Sequence, residues 1–102
     1  MISIIEGKRY STETATEVAC EQYGDYGDLG RYTETLYQTP KGRYFLHGAG
    51  GPASPYAECS DGTYSGGADI EPMDMNKAYR WLEANKMVTA IEVHFPDRIT
   101  DA

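Results

Sequence analysis

Aromatic bulk other than tyrosine is scarce in this chain. One Trp and two Phe stand against nine Tyr in 102 residues. Cationic side chains are also few, 9 Lys and Arg against 16 Asp and Glu, for a formal net charge of −7. That balance argues against direct binding to nucleic acid or to an anionic membrane, both of which select basic surfaces. It permits the opposite role, occupying a basic surface that normally holds nucleic acid. No apolar run approaches the ~20 residues of a membrane span. The opening Met1-Ile2-Ser3-Ile4-Ile5 is too short for the apolar stretch of a signal peptide, so a cytoplasmic protein is expected. The two cysteines, Cys20 and Cys59, form no Cys-x-x-Cys pattern, and His47 and His94 are far apart, so no zinc site is expected. Both thiols read as reduced, half-buried small hydrophobes.

What is there describes one small α+β domain over residues 1–102. Its centre is the stretch from Arg31 to Ala57. Strand-type runs at about 32–38 and 43–47 flank Thr39-Pro40-Lys41-Gly42. Pro40 suits the second position of a type I turn, and Gly42 can take the positive φ that closes a three-residue hairpin loop. If Thr39 opposes Arg43, Leu36 faces Leu46 and Tyr37 faces Phe45, on opposite faces of the ribbon. A hairpin apolar on both faces is expected to be covered on both.

Around it, Ile2–Ile5 and Lys8–Tyr10 read as a small hairpin turning at Glu6-Gly7. Residues 12–22 read as a short N-terminal helix. Thr14-Ala15-Thr16-Glu17 fits a capping box, and Ala15, Val18, Ala19 and Gln22 fall on one helical stripe. Glu13, Glu17 and Glu21 would then form an acidic ridge. Tyr23-Gly24-Asp25-Tyr26-Gly27-Asp28 is an acidic glycine loop whose two aspartates fall short of a calcium ligand set. Ser54-Pro55 reads as the start of a very short helix, Thr63–Ser65 as a short strand, and Ala68–Pro72 as an edge strand. A C-terminal helix is expected over about 75–86, capped by Asp74, with Ala78, Trp81 and Leu82 inward. Residues 88–95 fit a strand by alternation and a helix by the spacing of Val88, Ile91 and Phe95; propensity favours the strand.

No carboxylate pair or Cys–His pair sits in a recognisable catalytic frame, so the chain reads as a non-enzyme without cofactor.

Several segments together carry a resemblance: Lys8-Arg9-Tyr10-Ser11-Thr12-Glu13-Thr14-Ala15, Thr35-Leu36-Tyr37, Gly42-Arg43-Tyr44-Phe45-Leu46-His47-Gly48, Gly50-Gly51-Pro52, Tyr56-Ala57 and Ser65-Gly66-Gly67, followed by the helix bearing Trp81. Over roughly residues 7–84 the chain resembles small phage- and plasmid-borne proteins of bacteria associated with anti-CRISPR activity. The resemblance implies a stoichiometric inhibitor in the cytoplasm of a bacterial host. Its partner would be a CRISPR effector, Cas9-like first of all, whose cationic channel holds guide and target. It carries over no site residues. The alternative is a mobile-element accessory or regulatory protein that binds another host protein. On charge and tyrosine content alone, the partner-binding candidates are Glu13, Glu17, Glu21, Asp25, Asp28, Tyr23 and Tyr26. A helical ridge places a carboxylate about every 6 Å, whereas one DNA strand places a phosphate about every 3.4 Å. Nucleic-acid mimicry would therefore need Asp25, Asp28 and Glu34 to complete the row.

Overall fold

Thr39 to Gly42 forms the expected turn. In the computed structural model, which describes residues 1–102, Thr39 N donates to Arg43 O at 2.7 Å and Gly42 N to Thr39 O at 2.8 Å. Gly42 takes a φ of 87°, which a side chain would resist. The turn joins two members of a set of eight strands: β1 (Ile2–Ile5), β2 (Lys8–Ser11), β3 (Thr16–Tyr23), β4 (Tyr32–Gln38), β5 (Tyr44–Gly50), β6 (Glu58–Ser60), β7 (Thr63–Ser65) and β8 (Gly67–Met73). Helices α1 (Met75–Ala84) and α2 (Val88–His94) follow, then a single 3-10 turn at Pro96–Arg98. β3, β4, β5 and β8 make one antiparallel sheet in that order; β1–β2 and β6–β7 are separate hairpins. The class is α+β.

The register of the central hairpin follows from its turn. Leu36 pairs with Leu46 and Tyr37 with Phe45. The two faces then bury different cores. On one, Leu36, Tyr44, Leu46 and Met73 pack against Ala78 and Leu82 of α1 and against Phe95. On the other, Phe45 and Ile70 pack under Tyr10 of the β1–β2 hairpin, with Tyr37 stacked on Phe45 at 5.2 Å.

Residues 12–22 are not a helix. Thr16–Tyr23 is the edge strand β3, paired along its length with β4 and bulged between Glu17 and Ala19. The helical stripe was weakly apolar and rich in β-branched Thr and Val. Pairing with β4 satisfies the backbone groups on that side of the strand and packs the partly buried Val18 and Ala19 against the helix-side core. The capping-box pattern is unused.

Residues 88–94 settle as a helix. The helix prevails because Met87, Ala90, Ile91 and Phe95 all meet the core beside α1, while Val88, the first residue of the expected stripe, is exposed. The reversal between the helices is a Schellman motif, with Met87 N donating to Leu82 O at 3.0 Å and Lys86 N to Glu83 O at 3.1 Å. Lys86 holds the left-handed position at φ 57°. The short helix expected at Ser54 is a turn instead, held by Ser54 Oγ donating to Gly51 O at 2.7 Å. Cys20 and Cys59 are both exposed rather than half-buried. Cys20 lies on the edge strand and Cys59 on the β6–β7 hairpin, every residue of which is exposed. No helix is long and apolar enough to cross a membrane.

Candidate functional site

Tyr23, Tyr32, Gly50 and Gly67 lie side by side across the four strands and mark one end of the sheet. Two connections leave from it: the acidic glycine loop 24–31 and the long excursion 51–66 that carries β6 and β7. They are tied at their bases, Gly51 N donating to Arg31 O and Ala53 N to Leu29 O, each at 3.0 Å.

A polar aromatic cluster anchors this end to the helix-side face. Glu34 sits at its centre. It accepts from Trp81 Nε1 at 2.9 Å and from the Tyr56 hydroxyl at 2.5 Å. The indole N–H therefore draws Trp81 to the rim of the core, where it is only partly buried. The Tyr56 ring crosses the sheet where β5 has no side chain, since a Cβ built on Gly48 would stand 1.8 Å from Tyr56 Cζ. Tyr32 lies 5.9 Å from Tyr56 and stacks on Tyr23 at 4.6 Å. The Tyr23 hydroxyl donates to Asn85 Oδ1 at 2.6 Å and so reaches the C-cap of α1. Burial, then the Glu34 carboxylate, push the Tyr23 phenol up to about 12. Tyr56 is also raised, by burial first and then by its bond to Glu34. Both phenols stay protonated as donors at neutral pH.

Beyond this anchor the surface is free. Tyr26 is 93% exposed, Leu29 66% and Tyr64 65%. Every residue of β6 and β7 is exposed. The loop and the excursion carry Asp25, Asp28, Glu58 and Asp61 against one cation, Arg31. Arg31 is engaged internally, bonded to Gln22 Oε1 at 2.6 Å and lying 5.2 Å over the Tyr26 ring. The one ion pair of the molecule is elsewhere, Lys77 to Glu71 at 3.1 Å. All four carboxylates thus lack a cationic partner within the chain.

The sequence candidates divide accordingly. Asp25, Tyr26 and Asp28 stand together on the exposed loop. Tyr23 belongs to the anchor and not to the display. Glu13, Glu17 and Glu21 form no ridge. Glu13 precedes β3, Glu17 pairs with Tyr37 on the hairpin-covered face, and Glu21 pairs with Glu34 on the helix face. Alternation along a bulged strand puts them on different sides. Glu34 completes no row either, because both its oxygens point inward to donors. Leu29, Glu58, Asp61 and Tyr64 escaped the sequence reading. The Asp61-Gly62 turn was visible, but nothing local said that its hairpin would share an end of the sheet with loop 24–31.

The opposite face of the sheet places His47 across β4 from Cys20, with Thr35 between them. Thr35 Oγ1 donates to Cys20 Sγ at 3.3 Å. Two strand spacings, about 10 Å, separate the backbone positions of His47 and Cys20, and it is Thr35, not His47, that is bonded to the thiol. No group of three or more His, Cys, Asp or Glu side chains is arranged to hold a metal ion. No family model, curated protein or solved structure matches this chain.

Proposed function

We propose that this protein works by stoichiometric binding, docking the end that carries Asp25, Tyr26, Asp28, Leu29, Glu58, Asp61 and Tyr64 onto a cationic surface of a larger protein. Following the resemblance, that partner is a bacterial CRISPR effector, and the docked end blocks its nucleic-acid channel. The observation that carries the reading is the coincidence, at one end, of four unpaired carboxylates with three exposed large side chains. Exposed Tyr and Leu supply contact area, and unpaired carboxylates supply steering and register. The anchor of Glu34, Trp81 and Tyr56 holds the display on a rigid sheet, which limits the ordering cost of association.

The test is affinity capture and cleavage inhibition with guide-loaded effectors of the common types. A variant with Asp25→Asn, Asp28→Asn, Glu58→Gln and Asp61→Asn is expected to bind at least about tenfold more weakly, ~1.4 kcal/mol, and with a flatter salt dependence. Glu13→Gln, Glu17→Gln and Glu21→Gln together are expected to change binding much less. Full inhibition by the first variant, or inhibition of no effector by the wild-type protein, rejects the proposal.

A further inference from the structure

The sheet has two outer edges, β3 and β8. Which backbone groups face outward follows from the central turn, where Thr39 N bonds to the opposed Arg43 O. Directions alternate from there, so odd residues of β4 bond to β5 and even residues to β3. Ala19, Glu21 and Tyr23, opposed to Leu36, Glu34 and Tyr32, therefore bond inward. Cys20 and Gln22 turn their N–H and C=O groups off the sheet. On β8 the same alternation turns Ile70 and Pro72 outward. Pro72 has no N–H, and Ile70 N is taken by Asp69 Oδ1 at 2.9 Å, so that edge is blunted. The β3 edge is open at Cys20. Alongside it, on the helix face, a groove of 550 Å³ separates Val18 and Ala19 from the exposed Val88 and Val93 of α2. Lys86 is the one Lys or Arg in its lining, no carboxylate lines it, and Lys86 is in no ion pair. Glu21 supplies the opposite charge at the rim. Its Oε1 accepts from the outward Gln22 N at 3.0 Å, which holds the carboxylate over the open edge and leaves Oε2 free.

We propose that the occupant of this edge and groove is a second copy of the same chain, whose β3 pairs antiparallel with this one about a two-fold axis at Cys20. A copy is selected because one surface carries both halves of a match, Glu21 at the edge and Lys86 in the groove. In this register Cys20 faces Cys20, Ala19 faces Glu21 and Gln22 faces Val18. Each Glu21 then stands beside the Ala19 wall of the other copy's groove, which holds Lys86, and the axis makes that contact twice. An axis at Glu21 would set Glu21 against itself, which like charge opposes. An axis at Ala19 falls beside the bulge. The two-fold runs perpendicular to the sheet, so both helix layers stay on one side. Val88 and Val93 of the two copies close over the seam and leave water together. The two four-stranded sheets become one. A formal charge of −7 on each copy opposes association. The screening length at physiological salt, about 8 Å, confines that repulsion to charges near the seam. The two acidic ends point in opposite directions and stay free, so the inference does not rest on how they are used.

The experiment is sedimentation equilibrium of the full chain at physiological salt over a series of concentrations, where a dimer is expected. Glu21→Lys and Lys86→Glu each weaken dimerisation at least about tenfold, because each sets like charges together twice. The two substitutions in one chain remake the pair in reverse and recover the dimer. Register is read by a short bis-maleimide cross-linker in a Cys59→Ser background. Directly opposed residues there have Cα atoms about 5.5 Å apart, so Cys20 gives a covalent dimer. With Cys20→Ser added, Gln22→Cys cross-links far less, since the two copies of position 22 lie ~14 Å apart along the strands. Unchanged melting temperatures verify that the variants are folded. If either charge reversal fails to fold, the other one and the cross-linking still decide. A chain that stays monomeric up to about 1 mM overturns the proposal. So does a dimer unmoved by the folded single reversals, a folded double variant no tighter than the singles, or cross-linking at position 22 equal to that at position 20.

Discussion

Glu34 shows how a single side chain can change its apparent role. In the sequence it is one more carboxylate among sixteen acidic side chains. In the fold it is the acceptor that ties β4, the 51–66 excursion and α1 together through Tyr56 and Trp81. Glu34→Ala leaves a half-buried indole N–H and a phenol without partners, at about 1–3 kcal/mol for a group left unsatisfied. Urea denaturation followed by Trp81 fluorescence measures the loss, and Glu34→Gln, which keeps an acceptor, is expected to lose less. His47 gives a pH prediction. Burial, and then the amino group of Met1, lower its pKa. The unfolded chain therefore takes up its proton first as pH falls, near the ordinary value of about 6.5. Stability contributed by neutral His47 is full above that value and is lost progressively as pH drops below it. His47→Gln is expected to flatten the fall in melting temperature between neutral and mildly acidic pH.

At the scale of elements, residues 16–23 and 88–94 depart from their local pattern for one reason. A capping-box pattern and a helical stripe misdirect at residues 12–22, and strand propensity misdirects at 88–95, because β3 and α2 are decided by what stands beside them. β3 lies against the free edge of β4. α2 lies where Met87, Ala90 and Ile91 can cover the core next to α1. The reversal into α2 carries a cost visible in one residue, because Lys86 occupies a left-handed position that favours glycine. Lys86→Gly is expected to raise stability by up to about 1 kcal/mol, since relief of left-handed strain exceeds the added chain entropy. Thermal denaturation checks the sign. The excursion 51–66 depends on the missing side chain at Gly48. Gly48→Ala drives a methyl into the Tyr56 ring, so Tyr56 is expelled and the excursion released. Limited proteolysis is expected to cut between Ala57 and Gly66 in the variant at protease levels that leave the wild type intact.

The whole molecule is elongated. Its extents are 50 × 34 × 19 Å and its radius of gyration is 15.0 Å, against about 13 Å for a compact chain of this length. Seven-residue strands span only about 23 Å, so the added length comes from what projects at the ends. The β6–β7 hairpin is one such projection. A two-stranded hairpin gains little by itself in water, and every residue of this one is exposed. Replacing Glu58–Ser65 by a short Gly-Ser link is expected to leave the melting temperature nearly unchanged. The same change should shorten the longest dimension in small-angle scattering and abolish capture of the protein partner. Loss of stability instead would assign the hairpin a structural role.

The sequence by itself determined whatever rests on neighbours in the chain. Thr39-Pro40-Lys41-Gly42 specified a turn, the turn specified the register of Leu36 with Leu46 and Tyr37 with Phe45, and that register required cover on both faces. Asp74 and the spacing of Ala78 and Leu82 specified α1 in the same way. Only the tertiary structure decided that residues 16–23 pair as a strand and residues 88–94 coil as a helix. It alone turned Glu34 inward, scattered Glu13, Glu17 and Glu21, and joined Asp25 and Asp28 to Glu58 and Asp61. The difference is physical. Turn geometry and helix caps act over a few residues, but a strand edge, a core face or a shared end of a sheet exists only once distant segments have met.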